Sequence, residues 1–249
     1  MRCLLLACVL LCNAALADEI LIVGNNYSIP KIYAEGHQPQ GMLVDILRYV
    51  DAAMPGHRLT LHLYPWARAY RMAERGRAGI IGLSWTTERQ QLFDYSEPLF
   101  YDEVVVVVRH GDSLVFERIE DLEGRRIGLG AGGSFGDEFE QARRQGVFQV
   151  DEDNGPVSRL KKLLANRIDV ALINPGTAGL RRAIALDPEL SRRAAEFQVL
   201  AQPLKRDANY LGFHKRLEMV GFLAEFNQHI RRGYANGDIP RLLARYQLP

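Results

Sequence analysis

The sequence predicts an α/β protein of two lobes, each a mainly parallel sheet flanked by helices, with two strands connecting them. Apolar strands alternate with amphipathic helices from Asp18 onward, the order that builds a parallel sheet covered by helices. Five consecutive valines at 104–108 suit a strand buried on both faces. The alternating pattern also breaks twice, near Val108 and near Leu200, which divides it into two α/β series.

Residues 20–23 form a continuous apolar strand, and Leu43, Ile46, Leu47 and Val50 recur at helical spacing. Leu59, Leu61 and Leu63 alternate as a half-buried strand, and Pro65 suits the first position of a helix over 66–75. Residues 80–83 and the valine run are the next strands, and Arg109-His110-Gly111-Asp112-Ser113 ends the first series. The second series has strands at 126–129, 147–150 and 170–173. Its helices are lined by Phe135, Phe139 and Ala142, by Val157, Leu160 and Leu164, and by residues 175–186. Residues 197–200 lead back and 209–213 form the last strand. A long helix with Met219, Phe222, Leu223, Phe226 and Ile230 on its core face and a segment over 239–246 finish the chain. The expected lobes are 18–108 with 203–249, and 109–202.

The N-terminus has the layout of an export signal: Arg2, the apolar run 4–11, and Ala15-Leu16-Ala17 as a small-x-small cleavage site. The run is shorter than the ~20 residues needed to span a bilayer. A lipid-anchored form on Cys8 or Cys12 fits less well, because the apolar core ahead of Cys8 is short and Leu11 is bulky. All three cysteines lie within residues 1–17, so the mature chain is expected to have neither a disulfide nor a Cys-based metal site. The full chain has 31 Lys and Arg against 30 Asp and Glu, and removing residues 1–17 takes away Arg2 alone. That balance gives no electrostatic case for nucleic acid. The six histidines are scattered without zinc-ligand spacing, and no G-x-S-x-G elbow is present. No cofactor or metal is expected.

The most informative segment is Ser84-Trp85-Thr86-Thr87-Glu88-Arg89, which comes after the strand 80–83 and leads into Phe93, Ser96, Pro98 and Tyr101. Hydroxyls beside a guanidinium fork can hold a small carboxylate. A surface Arg paired with Glu88 or Glu97 is the plainer alternative. In order and spacing the segment resembles the Ser-x-Thr-x-x-Arg loop of the type 2 periplasmic solute-binding proteins, in the branch (family 3) serving polar amino-acid uptake. Ile119-x-Asp121-Leu122-x-Gly124-Arg-Arg-Ile127-Gly128 and 164–174 also resemble stretches of that family, so the likeness covers essentially the whole mature chain.

The resemblance implies a periplasmic-binding-protein-like fold that closes by hinge motion around a carboxylate-bearing solute. It also implies a monomer in the periplasm and an ATP-binding-cassette (ABC) permease as partner. Arg89 would bind the ligand carboxylate, aided by Ser84 and Thr86, and Tyr27 would stack on the ligand. Trp66, Trp85 and Arg68 are candidate wall residues, with core packing the alternative for Trp66. Gly130 to Phe135 is expected to open a helix as an anion cradle through Gly133 and Ser134. Asn174 stands where amino-acid binders of the family have an Asp for the ligand ammonium. Three other readings share the sequence. A dehydratase-like enzyme could use Glu97 or Asp102, and an orphan ligand sensor could use the same fold. A dinucleotide site could form on Gly128-x-Gly130-x-x-Gly133 with Asp151 or Asp153 as the ribose acid.

Overall fold

The computed structural model describes residues 18–246. The expected export signal and the three cysteines lie outside the described residues.

The first lobe opens with β1 (Asp18–Asn25), then a small antiparallel sheet of β2 (Tyr27–Ser28), β3 (Ile32–Glu35) and β4 (Gln38–Gln40). It continues through α1 (Met42–Ala53), β5 (His57–Tyr64), α2 (Trp66–Glu74), β6 (Gly79–Leu83), α3 (Thr87–Leu92) and β7 (Phe93–Tyr95). β1 pairs in parallel with β5 and β6. Its side chains alternate between two cores: Ile20 and Ile22 pack with α1, and Val23 packs with Ala69 and Ala73 of α2. Pro65 is the residue just before α2, one position earlier than expected. The two- to four-residue strands β2 to β4 are too short to show a period in sequence.

β8 (Phe100–Arg109) carries the chain across. Phe100 to Val104 pair with β13 (Lys205–His214), while residues 105–109 pair with β11 (Val170–Ile173) and β12 (Phe197–Val199). The valine run therefore belongs to the second lobe. Val104, Val106 and Val108 pack with Phe139, and Val105 and Val107 pack with Leu160 and Leu180 on the opposite face. β8 runs unbroken up to the expected junction after Val108 and changes partners between Val104 and Val105, where an apolar strand shows no break in hydrophobicity.

The second lobe adds β9 (Arg126–Gly130), α4 (Asp137–Gln145), β10 (Gln149–Asp153), α5 (Pro156–Leu164), α6 (Gly176–Ala185) and α7 (Pro188–Arg192). β10, β9 and β11 are parallel, with β8 antiparallel beside them. The chain returns through β13 and ends with α8 (Val220–Ala235) and α9 (Asp238–Ala244). Phe222, Leu223, Phe226 and Ile230 of α8 close the first core over α1. No helix among the described residues is long and apolar enough to cross a membrane.

Candidate functional site

A cavity of about 140 Å³ lies between the lobes, at the ends of β1, β6, β9 and β11. Ligands of open α/β sheets bind at such carboxyl ends. Of the expected site residues, Tyr27, Trp66, Ser84, Arg89, Gly133, Ser134 and Asn174 all line it. Thr86, Trp85 and Arg68 do not.

The Arg89 segment is set by a bulge and a cap. Gly82 adopts φ +81°, and the pairing register between β6 and β13 shifts there. Glycine adopts that conformation without strain, and the extra residue re-aims the side chains after it. Ile80 and Leu83 thus share one core, and Ser84 turns into the cleft. Thr86 then caps α3, its hydroxyl accepting from the Arg89 N–H at 3.1 Å. Thr86 is 4 % exposed, so its oxygen is spent on the helix and fixes the position of Arg89. Trp85 is 40 % exposed and is not part of the cavity lining.

The Arg89 guanidinium lies over the Tyr70 ring, 4.8 Å from its centroid. Nη1 donates to the Ser84 carbonyl at 3.3 Å and Nη2 to the Gly132 carbonyl at 3.4 Å. No carboxylate among the described residues lies within ion-pair distance of it. Neither Glu88 nor Glu97 is a partner, and Glu97 pairs with Arg231 instead. Burial raises the Tyr70 and Tyr95 hydroxyls above their ordinary pKa, and Arg89 opposes the shift in both.

The glycine-rich loop departs from the expected cradle. α4 begins at Asp137, after Gly136, so Gly130 ends β9 and Ala131 to Phe135 is a loop, not a helix start. The first turn of α4 holds Asp137, Glu138 and Glu140, charges that oppose an anion at that end. The Ser134 hydroxyl does face the cavity region, buried and without a hydrogen-bond partner among the described residues. A buried hydroxyl without a partner calls for one from a ligand or water.

Three charged groups in the lining were not anticipated. Arg159 forms a buried ion pair with Asp153, Nε to Oδ2 at 2.9 Å and Nη2 to Oδ1 at 2.8 Å. Lys31 Nζ pairs with Asp102 at 2.7 Å. Asp207, opposite Asp102 on the β8–β13 ladder, accepts from the Ser84 hydroxyl at 2.5 Å and pairs with Lys205 Nζ at 2.8 Å. Like charges directly opposite on a ladder repel, and each here has its own lysine. Burial nevertheless pushes the Asp102 carboxyl above its usual range, with Lys31 pulling it back and Asp207 adding to the rise. Asp102 Oδ1 and Asn209 Oδ1 are buried without partners among the described residues. No cluster of three metal-ligating side chains occurs among the described residues.

The lobes touch across the cleft through main-chain and side-chain contacts. The Trp66 indole donates to the same Gly132 carbonyl at 3.0 Å. Asp137 accepts from the Thr87 N–H at 3.0 Å and from its hydroxyl at 2.5 Å. These two donors hold the Asp137 carboxyl below its ordinary value of 3.8. A depressed carboxyl stabilises this contact between the lobes above that ordinary value and loses the contribution as pH falls through its lowered one. The clasp therefore holds throughout the neutral range. Asp137 is exposed, and solvent screening keeps the contribution small, about 0.5–1 kcal/mol. Asp137→Ala is expected to weaken solute binding about two- to fivefold, mainly through faster release, with the melting temperature nearly unchanged. Stopped-flow release rates and a thermal melt check both halves.

Comparison with known proteins agrees with this architecture. A 28 % identical stretch of 87 residues is shared with the L-cystine-binding protein TcyJ of Escherichia coli (strain K12), covering 35 % of this chain and about a third (32 %) of that protein. Among solved structures, an arginine 3rd transport system periplasmic binding protein from Legionella pneumophila superposes with TM-score 0.74 at 15 % identity, over 93 % of this chain and 100 % of that one. A histidine kinase sensor domain with similarity to periplasmic binding proteins gives TM-score 0.75 at 19 % identity, over 92 % and 96 % of the two chains. At such identities the structural likeness establishes the fold: two lobes around a cleft, as the sequence predicts. The sequence profile of the bacterial extracellular solute-binding proteins, family 3, matches residues 20–249, and the chain belongs to that family.

Proposed function

We propose that this protein is a periplasmic receptor, exported by residues 1–17, that captures a small carboxylate-bearing solute, an amino acid or related acid, and passes it to an ABC-type importer. It acts as a monomer and returns the solute chemically unchanged. The observation that carries the reading is Arg89, a guanidinium on the cavity wall without a carboxylate partner among the described residues. The other charges around the cavity are matched: Lys31 with Asp102, Arg159 with Asp153 and Asp207 with Lys205. One net positive charge remains, and a monoanion neutralises it. The fork geometry of Arg suits a carboxylate.

The test is a thermal-shift screen of the mature protein against amino, hydroxy, keto and aromatic acids, since a ligand that binds only the folded state raises the melting temperature. Stabilisation by carboxylates, with recovery of the intact acid, supports the reading. Conversion of the acid at an enzyme-like rate overturns it in favour of the dehydratase alternative. Loss of labelled-solute uptake from cells lacking the protein distinguishes a transport receptor from an orphan sensor.

Asn174 sets an expectation about ligand charge. It lines the cavity just past β11, and its amide accepts hydrogen bonds without supplying a counter-charge. We expect acids without an α-ammonium to bind more tightly than the corresponding amino acids, by about tenfold or more. Asn174→Asp should move preference toward the amino acids and weaken the plain acids through like-charge repulsion. Sub-micromolar affinity for a standard amino acid, unaltered by the substitution, would refute this role for Asn174.

A further inference from the structure

Ser84 touches two charges at once. Its carbonyl oxygen accepts from Arg89 Nη1 at 3.3 Å, and its hydroxyl donates to Asp207 Oδ2 at 2.5 Å. One residue thus holds a guanidinium and a carboxylate side by side, and all three residues line the same cavity. Asp207 is 3 % exposed and comes from β13, a strand that joins the lobes. Its Oδ2 accepts from Ser84, and its Oδ1 lies 2.8 Å from Lys205 Nζ in an ion pair. An ionised carboxylate offers about four lone-pair sites, so acceptor capacity remains.

We infer that Asp207 reads a hydrogen-bond donor, hydroxyl or amine, on the ligand carbon next to the carboxylate that Arg89 holds. The inference rests on the carboxylate reading of the cleft. Ser84 bridges the two groups, so a carboxylate seated on Arg89 would bring its neighbouring carbon toward Ser84, where Asp207 is the bonded acceptor. A ligand with a donor there completes the Asp207 shell when the lobes close. A plain acid leaves a desolvated carboxylate short of donors, and sites built to bond a polar group reject analogues that lack it. Asp207 therefore selects for α-substitution, while Asn174 and the charge balance select between hydroxyl and amine.

The experiment is calorimetric titration of the full mature chain with three matched sets of acids that share the standard amino-acid side chains: plain, L-2-hydroxy and L-2-amino. The best-bound side chain should show the hydroxy form at least about tenfold tighter than the plain acid. In Asp207→Ala that ratio should fall below about threefold, with Asp207→Asn as the shape-preserving variant if the alanine protein does not fold. A larger gain for the hydroxy than for the amino acid is the result expected beside Asn174, whereas a larger gain for the amino acid keeps Asp207 as the reader and refutes the role given to Asn174. The inference is overturned if the unmodified protein shows no donor advantage. It is equally overturned if the Asp207 variants weaken all three sets by one common factor, as a purely structural aspartate would. Failure of every acid to bind would instead remove the carboxylate reading itself, which Arg89→Ala tests separately.

Discussion

Arg89→Ala is expected to abolish solute binding in a protein that still folds. The loss of a charge-assisted contact to a buried carboxylate amounts to about 2–5 kcal/mol, or roughly thirty- to several-thousandfold in affinity. Folding should survive, because the cap on α3 uses the Arg89 main-chain N–H, which alanine retains. The side chain also gives up its place over Tyr70 and its bonds to Ser84 and Gly132, so some softening of the cleft is expected. Arg89→Lys should bind poorly too, since an ammonium cannot supply two parallel donors at that reach. Calorimetry on the folded variants checks both, and near-unchanged affinity in Arg89→Ala would rule out its role as the carboxylate anchor.

The second large effect concerns stability. Asp153→Ala should destabilise the protein by about 3–5 kcal/mol, because it strands a charge in the interior. The Arg159 side chain is 6 % exposed and its partner 1 %. Arg159 also donates to the Leu172 carbonyl at 2.5 Å, and Asp153 accepts the Gly155 N–H at 3.0 Å, so the pair ties three parts of the second lobe together. Replacing both partners, as in Asp153→Ala with Arg159→Leu, should recover much of the loss, since no charge is then left unpaired. Urea unfolding of the single and double variants measures this. A single-variant loss below about 1 kcal/mol would show that the pair is not buried in solution.

This ion pair also accounts for the glycine pattern that resembles a dinucleotide fingerprint. A Cβ at Gly128 would collide with Ile168 Cδ1 and stand 2.9 Å from Arg159 Cγ. The glycine makes room for the arginine stem. The acid that would have held a ribose is occupied as well: Asp153 is clamped by Arg159, and Asp151 pairs with Lys162. The dinucleotide reading therefore has neither a helix start nor an available acid.

Much of the fold was legible because its signals are local. The alternate valines of β8 serve opposite faces, as a doubly buried strand should, and the α8 stripe points to the core predicted from its spacing. Arg89, Ser84, Ser134 and Asn174 were legible through the resemblance of their loops, and the cavity gathers them. The charged floor was not legible. Lys31 meets Asp102 across 71 residues and Ser84 meets Asp207 across 123, and no pattern in a single chain marks such partners. The capping role of Thr86 was open to view in principle, since Thr-x-x-Arg places a hydroxyl three residues before an N–H at a helix start. The family likeness drew attention instead to its side chain as a ligand donor.

The Gly132 carbonyl accepts from both Trp66 and Arg89, which uses both of its lone pairs. In this arrangement the protein spends on its own backbone a donor that a solute would use. Gly132 is thus an internal rival of the ligand, one that no side-chain substitution at position 132 can delete. The share of molecules in which this bond is made scales down the apparent affinity by the same fraction. Moving that loop away from Arg89 would sharpen capture without altering a single residue that touches the solute.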